Sequence, residues 1–452
     1  MVGNRPRVAF DVVIIGAGAA GLAAARDCSA AGKRVCLLEA RERLGGRIFT
    51  LHTPDLPLPI ELGAEFIHGE EPTTFAIVEA AALLAYELPD NHWWSRSGRW
   101  ERVTDFWEQI DRLRARIPAR GDRSFADFLK SQKLPPRVRE MALGYVEGYH
   151  AAHADRMSAA SLRSSDQEQD DPGGNKQFRI GNGYDAVLSW LRSGLDPERT
   201  AIQHGAPVTE IEWRKGDVAV RTSRGSEIRA NAAILTIPIG VWKAPREESG
   251  AIRFIPDLRA KRRAIEKLEV GHVVKIIFRF RERFWDEPDF LKQRARSKDQ
   301  DRGTPLNFVN STDKYVPAFW TTAPVRAPLL TGWAGGHAAD ALLAQGQDAI
   351  ADCALDSLSK TFFMKRRELD ALLDSTHMHD WQSDPFSRGA YSYAAVGGSG
   401  AHDLLAKPIE GTLFFAGEAT STDQTGTVAG AIESGRRAAR QLIWNAAAMP
   451  PL

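Results

Sequence analysis

The sequence predicts an α/β protein, and three features near its N-terminus carry that prediction. An apolar run from Val12 to Ile15 enters a turn built on Gly16, Gly18 and Gly21. An alanine-rich stretch of helical character follows and stops near Gly32. A second apolar run, Val35 to Leu38, ends on Glu39. Strand, glycine turn, helix and strand with an acid at its end form a unit that cradles a dinucleotide.

Each residue type has a task in such a unit. Gly16 permits the tight turn, Gly18 lets backbone approach a pyrophosphate, and Gly21 lets the helix lie close to the strand. With Ala20 they are the expected phosphate contacts, at a helix N-terminus that offers free N–H groups and partial positive charge. Glu39, followed by Ala40, stands near the distance at which an acid accepts hydrogen bonds from an adenosine ribose. The glycines alone would fit an ordinary turn. Strand, helix and acid in register make that the weaker reading.

The string "EARERLGGR" then brings Arg41, Arg43, Gly45, Gly46 and Arg47 together. A glycine pair among arginines fits a second anion-cradling loop, or, taken alone, a surface turn with solvated arginines. This string resembles the flavin-containing amine oxidases: monoamine oxidases, polyamine oxidases and flavin histone-lysine demethylases. So do "ELGAEFIHG" (Glu61 to Gly69), "GHVVKIIFRF" (Gly271 to Phe280) and "LFFAGEATSTDQTGTVAGAIESGRRAA" (Leu413 to Ala439). The shorter "TIPIGVW" (Thr236 to Trp242) and "WQSDPFSRGAYSY" (Trp381 to Tyr393) fit in the same order.

The resemblance, closest in motif to polyamine oxidases, implies an FAD-binding Rossmann-like domain interleaved with a discontinuous α+β substrate-binding domain. Segments 1–90, 205–250 and 380–452 would form the first, and 91–204 and 251–379 the second. It implies that Gly63, Ala64, Glu65 and Phe66 pass along the flavin and that Val208 touches adenine. Gly417 and Glu418 would meet the ribityl chain, and Trp381 would pack near the ring. Ala390 falls where monoamine oxidases carry the cysteine bonded to flavin, so the implied FAD is noncovalent.

Composition agrees with these expectations. A chain of 452 residues has room for two or three domain-sized units and an ample core. A formal net charge of +1 gives no global field toward nucleic acid or an anionic membrane. Three cysteines form neither a disulfide framework nor a metal pattern, and Cys28 and Cys36 read as small buried hydrophobes. The N-terminus lacks a signal-peptide core, and no apolar run is long enough to span a bilayer. The C-terminal "QLIWNAAAMPPL" is too short and interrupted for the membrane tail of monoamine oxidases. A cytoplasmic protein without membrane or nucleic-acid partners is expected.

Along the chain, residues from about Asn91 to Ser193 have a helical, aromatic pattern that includes Trp93, Trp94, Trp100, Phe106 and Trp107. The acidic run with Asp166, Glu168, Asp170 and Asp171 fits a solvated loop and is a weak hint of a cationic substrate. A meander is expected at Val208 to Trp213, Val218 to Thr222 and Ala232 to Ile237, with a turn at Lys215-Gly216-Asp217. A sheet-rich region follows from about Ala251 to Met378.

Lys275 is the expected catalytic residue. It lies within Val273 to Phe278, where both faces of the strand are apolar. A buried ammonium costs several kcal/mol unless paired. An edge-strand lysine that blocks unwanted pairing is the alternative. By the resemblance, Lys275 holds a water against the reactive flavin nitrogen and supplies positive charge as dioxygen is reduced. The segment from Thr427 and Val428 onward has helical apolar spacing, and its N-terminus would aim N–H groups and dipole at the flavin edge. An ordinary Thr cap fits it equally.

Tyr391 matches one wall of the aromatic pair that flanks the amine in the family. The opposite position carries Gln424, which opens that sandwich. His68 matches the histidine of the polyamine oxidase "WIHG" motif, and Trp381 completes the expected substrate contacts. No metal site is expected: His377-Met378-His379-Asp380 fits a solvated strand end better than a ligand set. The implied reaction is hydride transfer from a small-molecule amine to flavin. It gives an imine and then an aldehyde, with hydrogen peroxide from dioxygen. An L-amino-acid oxidase ranks second, because the stretch Glu65-Phe66-Ile67-His68 lacks an arginine for a substrate carboxylate. A flavin desaturase, a chromatin demethylase and a noncatalytic FAD-binding module rank lower.

Overall fold

The computed structural model describes residues 9–164, 176–287, 289–296 and 305–447. The acidic run at Asp166 to Asp171 lies outside them.

Two sheets organise the described chain. The first runs in the order Thr200–Gln203, Val35–Leu38, Phe10–Ile15, Glu227–Leu235, Asp217–Thr222, Val208–Arg214, Arg253–Ile255, with Leu413–Phe415 parallel to Glu227–Leu235. Its central members Phe10–Ile15 and Val35–Leu38 are parallel and nearly wholly buried, as expected for apolar runs covered on both faces. Helix Ala19–Ala30 lies on one face beside helix Val428–Ala447. Their contact needs Gly435, since a Cβ there would stand 2.1 Å from the Ala20 carbonyl oxygen. The expected meander forms at Val208–Arg214, Asp217–Thr222 and Glu227–Leu235, antiparallel throughout.

The first sheet corrects two expected boundaries. Thr200–Gln203 pairs in parallel with Val35–Leu38, and Arg253–Ile255 pairs in parallel with Val208–Arg214. Both segments fall in stretches assigned to the substrate unit. Their backbone hydrogen bonds place them in the nucleotide-binding sheet.

The second sheet runs Leu373–Met378, Val273–Phe280, Leu329–Gly335, Ala318–Thr321, Phe308–Asn310, His92–Arg96, Arg99–Val103. The Lys275 strand is therefore internal, paired on both sides, which removes the edge-strand alternative. His92–Arg96 and Arg99–Val103 correct the helical expectation for this region. Trp93, Trp94 and Trp100 sit on a hairpin. Ser97 and Gly98 both have positive φ (51° and 77°), which suits a two-residue turn between twisted strands. Helices follow at Phe106–Arg114, Phe125–Lys130 and Pro136–Gly144.

A small third sheet joins Ile67–His68, Gln177–Ile180 and Ala85–Glu87. It carries the chain from the first sheet toward the second and positions residues 65–68 between them.

Candidate functional site

A cavity of about 1630 Å³ is lined at once by the N-terminal glycine turn, the Lys275 strand and the start of helix Val428–Ala447. It exceeds the size typical of a drug-sized pocket, as a dinucleotide plus a substrate requires.

The residue types at the nucleotide end fit that ligand. Gly16 has φ of +97°, and a Cβ there would stand 2.5 Å from Thr236 Oγ1. Thr236 in turn donates to the carbonyls of Ile15 (2.7 Å) and Gly16 (3.1 Å), holding the turn open. A Cβ on Gly21 would stand 1.8 Å from the Gly16 carbonyl oxygen. Gly21 is thus a close-packing residue, and it does not itself line the cavity, whereas Gly16, Gly18 and Ala20 do. Gly18 bridges to Gly45, and Gly46 lies against Gly18, so two glycine backbones form one wall without side chains. Such a wall is a cradle for phosphate oxygens. Glu39 is buried and accepts from the N–H groups of Ala17 (2.8 Å) and Arg41 (3.0 Å). A carboxylate has further lone pairs for ribose hydroxyls. Ala40 and Val208 line the same end.

The arginines divide differently from expectation. Arg41 lines the cavity, forms a two-point pair with Asp384 (2.6 and 3.2 Å) and reaches Ser387 Oγ at 2.8 Å, so its guanidinium also clamps a loop. The Arg41 and His379 contacts hold the Asp384 carboxyl well below its usual range against the opposing effect of burial. Arg43 covers the Phe49 ring at 4.0 Å. Arg47 alone of the three bridges into the ring region, where it meets the Ala390 carbonyl and Glu418 Oε1 (3.1 Å).

Glu418 is buried, and its second oxygen accepts from Ser392 Oγ at 2.8 Å. It and Gly417 line the cavity as expected. Thr427 Oγ1 accepts from the Gly430 N–H at 2.9 Å, so Thr427 is a genuine cap. Thr427, Val428 and Ala429 also face the cavity, so capping and an exposed helix N-terminus coexist there.

Lys275 is 3% exposed on the cavity wall. Its Nζ lies 2.6 Å from Glu65 Oε2 and donates to the Gly63 carbonyl at 3.0 Å. The other Glu65 oxygen accepts from Arg179 Nε (2.7 Å) and Trp320 Nε1 (3.2 Å). Burial pushes the Glu65 carboxyl up, but the Lys275 and Arg179 cations outweigh it and hold the group below its ordinary value. Glu65 thus has partners that the sequence did not predict. Its backbone runs along the cavity with Gly63, Ala64 and Phe66, while its carboxylate is committed to two cations. Arg179 was missed in the sequence, although "QFRI" sets a charged residue between Phe178 and Ile180 just as "VVKII" does for Lys275.

The remaining wall is aromatic. Trp381 is buried, donates to the Leu62 carbonyl at 3.0 Å and stands 3.2 Å from where a Gly63 Cβ would lie. Tyr391 donates to the Tyr149 carbonyl at 2.7 Å. Gln424 lines the cavity with Tyr391. His68 stands edge-on to Tyr149 with centroids 5.0 Å apart, and burial pushes it down to about 4. His150 is likewise pushed down by burial, to about 3. Among the described residues, His68 Nδ1, His150 Nε2 and Glu140 Oε2 are buried atoms on this wall without a hydrogen-bond partner. Tyr149, His150 and Glu140 were also missed, because their helical segment (Pro136 to Tyr149) carries no motif. The other expected feature, His377 to Asp380, is a strand end: His377 meets Ser375 (3.1 Å) and His379 meets Asp384 (2.8 Å).

Among the described residues, no helix is long and apolar enough to cross a membrane. Residues 19–443 match the family model for flavin containing amine oxidoreductase. Polyamine oxidase 2 of Arabidopsis thaliana is 31% identical, over 95% of this chain and 87% of its own length. Polyamine oxidase 3 of Oryza sativa subsp. japonica is 30% identical over 95% and 88%. Among solved structures, a putrescine oxidase bound to putrescine superposes with a TM-score of 0.77 at 20% identity, covering 96% of this chain and 99% of that one. Cyclohexylamine oxidase from Brevibacterium oxydans IH-35A gives 0.77 at 21%, covering 97% and 99%.

Proposed function

The chain belongs to the flavin containing amine oxidoreductases, and from that membership we propose that it oxidises a small diamine or polyamine with noncovalent FAD and dioxygen. The observation that carries this reading is the single cavity joining the glycine turn to the buried Lys275. Bound FAD would supply the hydride acceptor and then the reductant of dioxygen. The amine would lose hydride and a proton to give an imine, water would hydrolyse the imine to an aldehyde and release ammonia or a smaller amine, and dioxygen would become hydrogen peroxide.

The chain's own residues bind, orient and exclude water. The turn at Gly16 and Gly18 with Gly46 would hold the pyrophosphate side, Glu39 and Val208 the adenosine, Glu418 the ribityl chain, and Arg47 with Thr427 the ring side. Lys275 keeps a fixed positive charge at that side because Glu65 compensates its burial while Arg179 balances Glu65. The three together carry one net positive charge, where negative charge develops on an oxygen species. The same positive charge repels an ammonium, and the Tyr391, Tyr149 and Trp381 surfaces desolvate it, so the reacting nitrogen docks neutral.

A second, distal ammonium has a place to go. Glu140 lines the cavity and pairs through one oxygen with Arg96 (2.9 Å), while its second oxygen is buried without a hydrogen-bond partner. An amino-acid substrate finds no counterpart. The lining arginines Arg41, Arg47 and Arg436 all have carboxylate partners in Asp384, Glu418 and Glu433. Anaerobic mixing with putrescine, spermidine, spermine, benzylamine and L-amino acids tests the reading. Putrescine or its longer homologues bleach the flavin at micromolar to millimolar concentration. Bleaching by L-amino acids alone overturns it.

A further inference from the structure

We propose that His153, His272 and Asp340 form a binding site for a divalent transition metal of the zinc class, outside the dinucleotide cavity. The three come from separate parts of the chain. His153 follows the π-turn Tyr145–Tyr149, His272 directly precedes strand Val273–Phe280, and Asp340 lies in helix Gly336–Leu343. One ligand atom from each lies within 4.8 Å of the other two. None of the three lines the cavity.

The chemistry suits a borderline metal. Asp340 aims its two oxygens at different imidazoles: Oδ2 lies 2.7 Å from His153 Nε2, and Oδ1 lies 2.6 Å from His272 Nδ1. Two imidazoles and one carboxylate select zinc, nickel or cobalt over magnesium or calcium. A tetrahedral zinc with bonds of about 2.0–2.1 Å sets its ligand atoms roughly 3.4 Å apart, so the two Asp340 contacts open by about 0.7–0.8 Å and any separation near the 4.8 Å limit closes.

The surroundings supply what a bare cluster lacks. Without metal, His153 Nε2–H donates to Asp340 Oδ2 at 2.7 Å; ligation moves the ring proton to Nδ1, where Tyr393 Oη at 3.2 Å accepts it and frees Nε2 for the metal. His153 is almost sealed (3% side-chain exposure) and anchors the site. His272 and Asp340 are 39% and 44% exposed, which gives an entry path and room for water in the open position. A second acidic pair adds charge complementarity. His337 stands 4.9 Å edge-on from His153 and is held by Glu147 (2.7 Å) and Asp155 (3.3 Å). With Asp340, that makes three carboxylates at one corner of the fold.

A metal here would cross-link the segment that carries Tyr149 to the strand that carries Lys275, both on the cavity wall. Ligation therefore stiffens the substrate wall without contributing to the redox step.

The test uses the yellow holoenzyme, stripped with chelator and titrated with zinc chloride by calorimetry. One equivalent binds, and His272→Ala and Asp340→Asn each weaken binding at least tenfold. Zinc raises the melting temperature of the parent protein and not of either variant. Cobalt(II) gives the intense visible bands of a four-coordinate site. Both substituted side chains are half-exposed, and circular dichroism confirms that the variants fold. Zinc affinity equal in parent and variants, or cobalt spectra no different from the aqueous ion, overturns the proposal and leaves the cluster as a hydrogen-bonded clasp.

Discussion

Lys275 Nζ lies 2.6 Å from Glu65 Oε2, and the two side chains are only 3% and 9% exposed. A pair this dry is costly to form and costlier to break. Desolvation opposes it, while removal of one partner strands the other as a buried charge. Glu65 escapes that asymmetry in one direction only, because Arg179 still neutralises it when Lys275 is gone. Glu65→Gln leaves two buried cations and is expected to cost about 3–5 kcal/mol. Lys275→Met costs less. In a double-mutant cycle by urea unfolding, the pair should show coupling of at least about 1 kcal/mol. Additive effects would mean that the two charges do not interact.

The proposed function gives the same lysine a part in the oxidative half-reaction. Lys275→Met is expected to bind FAD and remain yellow. After anaerobic reduction, its reoxidation by dioxygen should slow by roughly 10²-fold, the scale seen when one preorganised donor is removed. Stopped-flow absorbance measures it, and a rate equal to that of the parent rejects the role.

Ala390 predicts the mode of flavin attachment. It is nearly buried on the cavity wall and has no atom able to bond the ring. Acid precipitation should leave colourless protein and release free FAD into the supernatant. Colour that stays with the pellet contradicts noncovalent binding.

Gly21 is expected to tolerate no side chain. A Cβ there would lie 1.8 Å from the Gly16 carbonyl oxygen, and backbone on both sides gives little room to yield. Gly21→Ala should lose bound FAD and several degrees of melting temperature even though Gly21 touches no ligand. Full FAD occupancy would show that the turn relaxes.

Acid sensitivity follows from His68 and His150, which burial pushes down to about 4 and about 3. Below about 6.5 the unfolded chain takes up these two protons and the folded chain does not. Their contribution is therefore complete above about pH 6.5 and is lost as pH falls through the window toward 4. Melting temperatures should drop between about pH 7 and 5.5, less steeply than two histidines alone would give, because burial raises the Glu61 carboxyl to about 7 and the folded chain takes up its proton in the same window. The double variant His68→Asn, His150→Asn should flatten that slope. An unchanged slope would mean that other groups carry it.

The turn at Gly16, the acid at Glu39 and the buried strand around Lys275 were legible because each is a local pattern. Steric freedom at a glycine and apolar runs of strand length are written in adjacent residues. The hairpin carrying Trp93 and Trp100 was not read from the sequence, because its aromatic composition masked the strand alternation and the Ser97-Gly98 turn.

The partners of charged groups were not legible. Glu65 looked like one more residue along the cofactor, and Arg41 like an anion ligand. Both line the cavity, and the electrostatic cost of burial gave each a further partner, by bringing Arg179 from 114 positions away to Glu65 and Asp384 from 343 positions away to Arg41. Adjacent residues were enough to locate the glycine turn and the buried lysine. Only the tertiary structure decided which carboxylate satisfies which cation, because a buried charge takes whatever partner the packing delivers, however far off it lies in the chain.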